Sequence, residues 1–174
     1  MRRLMLIIAM LTMMLTGLAQ STEMSVCGIK MGTGKEEAKA ILRERFGYSA
    51  VSEKEGNLEV REGSAGGISH KFMTFIFAWI DGKSKFNGAS FSTPYELSDQ
   101  KDAIARMELI KSVYEKKYDI IQNKNDDGFN EYIFLKNPDC FGVIHVIKSK
   151  GKDGKTRLYC DVNYFGPYKA TDDI

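Results

Sequence analysis

The stretch FMTFIFAWIDGKSKFNGASF, residues 72–91, decides the fold that this sequence predicts. Apolar residues recur at alternate positions on both sides of Asp81-Gly82, and Asp-Gly between two such runs is typical of a two-residue hairpin turn. With Ile80 opposite Lys83, the side chains that share one sheet face follow by alternation. The face predicted to lie under a helix carries Met73, Phe75, Phe77, Trp79 and Phe86.

A second hairpin is predicted where the same turn sequence recurs. Asp153-Gly154-Lys155 repeats Asp81-Gly82-Lys83 between two further strand-like runs. A two-residue turn at Asp153-Gly154 pairs Ile147 with Cys160 and fixes which residues face the core. The core face of this second hairpin is predicted to carry Val143, His145, Ile147, Cys160, Val162 and Tyr164.

Each hairpin closes a larger unit of the chain. Apolar residues at helical spacing predict one helix over 33–46 and another from Ser98 to about Lys117. Four strand-like runs follow each helix, near 48–53, 57–62, 71–80 and 83–92 and then near 118–123, 129–136, 141–149 and 155–165. The sequence thus predicts an α+β fold of two tandem units, 20–95 and 96–174, each with one α-helix packed on a four-stranded antiparallel β-sheet. One continuous sheet with both helices on a single face is the competing arrangement, and chance similarity between common turns is the alternative to duplication.

The first 19 residues have the pattern of an export signal. Arg2 and Arg3 precede an almost unbroken apolar run over 4–15, and small residues stand three and one positions before a cut after Ala19. The apolar run is shorter than the roughly 20 residues that span a bilayer. We expect a signal peptide over 1–19 and a periplasmic or secreted mature chain without an integral membrane segment.

Charge and motif content argue against several classes of function. Removal of Arg2 and Arg3 leaves 23 of the 25 basic residues against 23 acidic residues, a balance unlike that of a nucleic-acid-binding protein. The run Gly32-Thr33-Gly34-Lys35 lacks the first glycine of a phosphate-binding loop, and the two histidines lack metal-ligand spacing. We therefore predict no cofactor, no metal and no catalytic residue.

Three cysteines leave one candidate disulfide. Export to an oxidising compartment allows disulfides to form. In the predicted register Cys140 lies roughly 20 Å along the strand from the position opposite Cys160, which is too far for a bridge. By elimination the candidate pair is Cys27 and Cys140.

The sheet faces turned away from the helices carry a mixed set of side chains. A sheet with one face in water is normally polar on that face, whereas here aromatic residues stand beside Lys, Arg and Asn, as at protein-binding surfaces. The alternative is that the two units bury these faces against each other. The residues predicted to form a partner-binding surface are Phe72, Ile76, Lys85, Asn87, Phe91, Arg157, Tyr159 and Phe165.

The stretch GIKMGTGKEEAKAIL, residues 28–42, resembles the opening of the small envelope domains in the outer-membrane assembly lipoprotein family of SmpA/OmlA type. Two tandem units of one helix and four strands resemble the beta-lactamase inhibitor protein family. The resemblance implies binding to a protein partner in an inhibitor-like or envelope-assembly-like role. We expect an exported, non-enzymatic binding protein; the alternative is a small-ligand carrier or enzyme with its site in the cleft between the units.

Overall fold

The computed structural model describes residues 24–137, 140–151 and 153–167. The predicted signal peptide over 1–19 lies outside the described residues. The helices are α1 (Lys35–Phe46) and α2 (Gln100–Tyr114), and a short antiparallel ribbon of β1 (Ser25–Val26) and β2 (Ile29–Lys30) precedes α1. Within the described part of the chain, neither helix is long and apolar enough to cross a membrane.

Eight further strands form one antiparallel sheet. They are β3 (Val51–Lys54), β4 (Asn57–Ala65), β5 (Ile68–Ile80), β6 (Lys83–Tyr95), β7 (Asp119–Lys124), β8 (Asn130–Asn137), β9 (Cys140–Lys150) and β10 (Thr156–Phe165). Their order across the sheet is β3-β4-β5-β6-β10-β9-β8-β7. The strands of the first half of the chain therefore occupy one side of the sheet, and those of the second half occupy the other.

The α+β class and the antiparallel pairing are confirmed, but the prediction of two separate four-stranded sheets is wrong. The last strands of the two halves, β6 and β10, pair with each other from Leu158 opposite Tyr95 to Phe165 opposite Gly88. This pairing satisfies backbone groups on two strands that would otherwise be exposed sheet edges. The competing arrangement, one continuous sheet, is the one that forms.

Both helices cover the same face of this sheet, where a single hydrophobic core lies. Leu42 of α1 and Met107 of α2 belong to one buried cluster with Phe75 of β5 and Ile144 of β9. This core spans both halves of the chain. Because both helices lie on the core side, no element among the described residues covers the opposite face of the sheet. We call this opposite face the open face.

In the first hairpin a β-bulge changes the predicted register. The turn at Asp81-Gly82 and the pairing of Phe77 with Phe86 are as predicted, but Ile76 pairs with Gly88, so Asn87 is an extra residue in β6. A bulge of this kind reverses the in–out alternation of the residues that follow it. Phe91 is consequently fully buried in the core, and its predicted place on the partner-binding surface is wrong.

The second hairpin differs from its prediction by one residue. Asp153-Gly154 is not a two-residue turn, because Lys150 pairs with Thr156 and the Gly151 amide donates to the Lys155 carbonyl at 2.8 Å. A one-residue slip moves every side chain of one strand to the other face. The core residues of β9 are therefore Gly142, Ile144 and Val146, whereas Val143, His145 and Ile147 lie on the open face.

Trp79 also departs from its predicted core position, and its side chain is 63% exposed. It pairs with Ser84, close to the turn at Asp81-Gly82. Phe77 lies two residues further from the turn and is the residue nearest the turn on this side of β5 that packs against the core. Trp79 is thus too near the tip of the hairpin to be covered.

Candidate protein-binding surface

A row of apolar side chains crosses one end of the open face. Ile76 of β5, Phe165 of β10, Phe141 of β9 and Leu135 of β8 occupy successive paired positions, with only Gly88 of β6 interposed. At about 4.8 Å between neighbouring strands, this apolar row extends across roughly 19 Å. The rings of Phe141 and Phe165 are stacked, with their centroids 4.9 Å apart.

Further apolar side chains on the open face extend this row. Ile121 of β7 lies beside Ile133 of β8, which in turn pairs with Val143 of β9. Phe72 lies four residues from Ile76 on the same face of β5 and pairs with Ser92 of β6. Six large apolar side chains on this face are therefore between 37% and 53% exposed: Phe72, Ile76, Ile121, Leu135, Phe141 and Phe165. A contiguous apolar patch of this kind on a protein surface is typical of an interaction site.

A polar row runs parallel to the apolar row, four residues away along the strands. It consists of Ser92 of β6, Asp161 of β10, His145 of β9 and Glu131 of β8, each paired with the next. His145 Nδ1 lies 3.3 Å from Glu131 Oε2, and its Nε2 lies 3.1 Å from Asn163 Nδ2. The His145 ring thus links Glu131 of β8 to Asn163 of β10.

Asp161 is the most unusual member of the polar row. Its side chain lies on the open face, yet the residue is only 8% exposed, and its Oδ1 has no hydrogen-bond partner among the described residues. Burial raises the pKa of the carboxyl group, although a hydrogen bond from Ser92 and the nearby His145 oppose that shift. A buried carboxylate without full pairing is unfavourable, because it has lost water without gaining equivalent contacts. The Asp161 carboxyl group is therefore incompletely paired on the open face.

Three of the predicted surface residues, Phe72, Ile76 and Phe165, are exposed side chains on the open face. Tyr159 and Arg157 also project from this side of β10 and are half-buried. The Arg157 guanidinium is already paired, with Asp153 at 2.7 and 2.9 Å and with Glu96 at 3.3 Å. Its charge is therefore compensated within the chain.

Lys85 and Asn87 lie to one side of these rows. Both belong to the part of β6 that extends beyond the end of β10, because Phe165 pairs with Gly88. There Lys85 bridges to Gly34 and its ammonium lies 3.6 Å from Asp81, while the Asn87 carbonyl accepts from the Gly166 amide. They are placed at the margin of the open face, apart from Asp161.

Sequence reasoning missed several residues of the open face, because it placed the second hairpin one residue out of register. It put His145 in the core and did not select Phe141, Leu135 or Glu131. A turn of more than two residues at Gly151–Lys155 would have given the correct face, since it shifts β9 by one position against β10.

A separate cavity of about 220 Å³ lies between the two helices. Its lining includes Cys27, Tyr114, Tyr118 and Tyr164. Burial raises the pKa of the Cys27 thiol to about 11 and that of Tyr114 to about 12, and the Tyr114 and Tyr164 hydroxyls hydrogen-bond to each other. A protonated thiol is a poor nucleophile, so these groups do not form an activated catalytic site.

The described residues contain no cluster of His, Cys, Asp and Glu placed to hold a metal ion. Neither Cys27 nor Cys160 forms a disulfide with another described side chain. The side chain of Cys140 lies outside the described part of the structure, so the Cys27–Cys140 disulfide stays a prediction.

Comparison with protein-family models, curated proteins and solved structures finds no match to this chain. The resemblance of residues 28–42 and of the tandem layout to envelope-assembly and inhibitor families therefore stays a prediction from the sequence.

Proposed function

We propose that this chain is an exported, non-enzymatic protein that binds a protein partner through the open face of its sheet. Export is supported by the basic and apolar pattern of residues 1–19. Binding is supported above all by one observation, the six exposed apolar side chains that share one sheet face with a nearly buried, incompletely paired Asp161. The sequence resemblance described above is consistent with an inhibitor-like or an assembly-like role.

The partner that fits this surface presents apolar side chains together with one Lys or Arg roughly 13 Å to one side of them, the span of four residues along a strand. Its apolar side chains would cover the row from Ile76 to Leu135, and removal of this area from water supplies the main driving force. Its cationic group would approach the Asp161 carboxyl group, which lies in the same polar row as Glu131 two strands away. The binding surface would then pair a charge that the free protein leaves partly unpaired, which favours the correct partner over others.

Aromatic side chains near the centre of the surface should carry most of the affinity. Phe141 and Phe165 form a stacked pair beside Leu135, and rigid aromatic anchors of this kind are common binding hot spots. Loss of one such anchor typically costs about 2 kcal/mol or more, which corresponds to roughly a 30-fold loss of affinity.

Site-specific photocrosslinking tests the proposal. A benzophenone amino acid would replace Phe141 on the open face in the full chain, expressed in its native cells. The matched control places the same probe at Leu109, an exposed apolar residue of α2. We expect one discrete protein adduct from position 141 and none from position 109. Equal labelling from both positions, or no adduct from position 141, would refute the open face as the binding surface, and an adduct of twice the chain mass would show self-association instead.

The charge of Asp161 gives the experiment a second arm. Asp161→Lys should abolish the adduct because it places two cations together, whereas Asp119→Lys at the exposed start of β7 should leave it intact. Asp161→Asn is included so that an effect of charge can be separated from misfolding. An adduct that persists at full yield in both Asp161 variants would contradict a cationic anchor in the partner.

A further inference from the structure

A cavity of about 370 Å³ lies on the helix side of the sheet, on the opposite side from the open face. It is bounded by α2 and by the adjoining parts of β4, β5 and β6. The residues that line it are Glu62, Ser69, His70, Lys71, Thr93 and Arg106. Its volume falls within the range of small-molecule sites and exceeds that of a single water many times over.

The lining of this cavity concentrates the unpaired polar atoms of the protein interior. Five buried side-chain nitrogen or oxygen atoms in the described residues have no hydrogen-bond partner, and three of them belong to residues that line this cavity: His70 Nδ1, Thr93 Oγ1 and Arg106 Nε. His70 is only 3% exposed. Each buried, unpaired polar group is unfavourable for folding. Three residues with such groups line this one cavity.

These three groups are held in place by their other contacts. The Arg106 guanidinium donates from Nη2 to the Ser69 carbonyl and also hydrogen-bonds Tyr95, so its Nε–H is fixed in direction. The His70 ring packs against Phe91, with centroids 5.3 Å apart. Thr93 lies on β6 opposite Cys160 of β10. A preformed arrangement of this kind lowers the entropy cost of binding.

The chemistry of the lining favours a ligand that is negatively charged and only accepts hydrogen bonds. Arg106 carries a permanent charge, and Lys71 is paired with Glu62 at 2.9 Å, so the lining keeps one positive charge in excess. Burial and the nearby Arg106 lower the pKa of His70 to about 4, so its imidazole is neutral and can carry its proton on Nδ1. The neighbouring Cys160 thiol is also neutral, because burial raises its pKa to about 12. Asp102, one turn before Arg106, is not a lining residue.

We propose that this cavity binds a small oxyanion, a carboxylate or phosphate group, through Arg106 Nε–H, Thr93 Oγ–H and His70 Nδ1–H. The three donors belong to residues that line one cavity, and a carboxylate or phosphate offers several acceptor oxygens together with the compensating charge. This site is independent of the open face, so the protein would carry a small-molecule site beneath α2 as well as its protein-binding surface.

The test measures the binding of inorganic phosphate and of acetate to the full chain. Binding would be followed by the ring resonances of His70 in NMR titrations and by saturable stabilisation against thermal unfolding. We expect at least one of the two anions to shift the His70 resonances saturably. Binding of phosphate alone or acetate alone would assign the ligand to that chemistry, and binding of both would show that the shared oxyanion group is recognised.

Thr93→Val provides the decisive variant. It removes one donor at nearly constant shape, and we expect anion binding to weaken about ten-fold or more. Thr74→Val on the open face is the matched control and should leave binding unchanged. Because the Thr93 hydroxyl is unpaired in the free protein, the variant should fold normally, and Arg106→Gln gives a second, independent loss of binding. Unshifted His70 resonances with both anions, or equal binding in the Thr93 and Arg106 variants, would overturn the proposal.

Discussion

Replacement of Asp161 by Asn should make the protein more stable at neutral pH. The residue is 8% exposed, one carboxylate oxygen has no partner among the described residues, and the pKa of its carboxyl group is raised chiefly by burial. An unsatisfied buried polar group costs about 1–3 kcal/mol, and a charged one costs more. Asn keeps the shape and an oxygen that accepts from Ser92, while it removes the charge. We expect a gain of about 1–3 kcal/mol in the free energy of unfolding.

The stability gained by Asp161→Asn should increase as the pH rises. Below the ordinary carboxyl pKa of 3.8, Asp161 is protonated in both the folded and the unfolded chain, so the charge contributes no difference. As the pH rises, the unfolded chain loses its proton first, because the folded pKa is higher. The folded state of the native protein therefore loses stability until the pH passes the folded pKa, and the advantage of Asn grows over the same window.

The assay is urea unfolding of the native chain and of Asp161→Asn, at about pH 7 and again at about pH 4. For a chain of this size each kcal/mol corresponds to about 2–4 °C in Tm, which provides a second readout. Asp119→Asn, at the exposed start of β7, is the control and should change stability little. A variant that is equally or less stable than the native protein at neutral pH would refute the conclusion that Asp161 is incompletely paired. The same variant should also lose affinity for a partner with a cationic anchor.

Two further predictions concern the core. Phe91→Ala should lower the free energy of unfolding by about 3–5 kcal/mol in denaturant unfolding, because the ring is fully buried against Phe75 and Tyr164. Phe72→Ala on the open face should change stability by no more than about 0.5 kcal/mol. Similar losses of stability in both variants would show that Phe91 is not in the core. In the reduced folded protein, Cys27 and Cys160 should react slowly with a thiol reagent at about pH 8. Burial raises the pKa of these thiols from 9.0 to about 11 and about 12. The reactive thiolate form is therefore about 100-fold or more scarcer than in an exposed cysteine. The stability of the folded protein should also fall as the pH rises above 9, because the thiols ionise first in the unfolded chain. Fast labelling of either thiol, measured by site-resolved mass spectrometry, would contradict this burial.

The sequence was sufficient for the local elements but not for the contacts between them. Helical spacing and turn residues predicted both helices and eight strands, because these signals depend on near neighbours. The first hairpin was correct from its turn to Phe77 and Phe86. Beyond that point the bulge at Asn87 depends on a long-range contact: a Cβ at Gly88 would lie 2.6 Å from the Tyr164 carbonyl, so close approach of β6 and β10 needs glycine there.

The register of β9 has a similar long-range cause. A Cβ at Gly142 would overlap the ring of Phe134, so the glycine makes room for an aromatic side chain of the neighbouring strand. In the predicted register Gly142 would face outward, and this packing would be lost. No pattern within β9 itself shows which face needs the space, since apolar residues stand on both sides of the strand. This is why His145 was assigned to the core and the polar row on the open face was not found from sequence.

The pairing of β6 with β10 places the candidate surface at the junction of the two halves of the chain. Ser92 comes from the first half, and Asp161, which it contacts, comes from the second. The apolar row crosses the same junction, from Ile76 on β5 to Phe165 on β10. Neither half alone contains either row, so the surface exists only when both halves fold together. The unfavourable burial of Asp161 at this junction is therefore imposed by the same strand pairing that completes the fold, and a cationic partner group is what would relieve it.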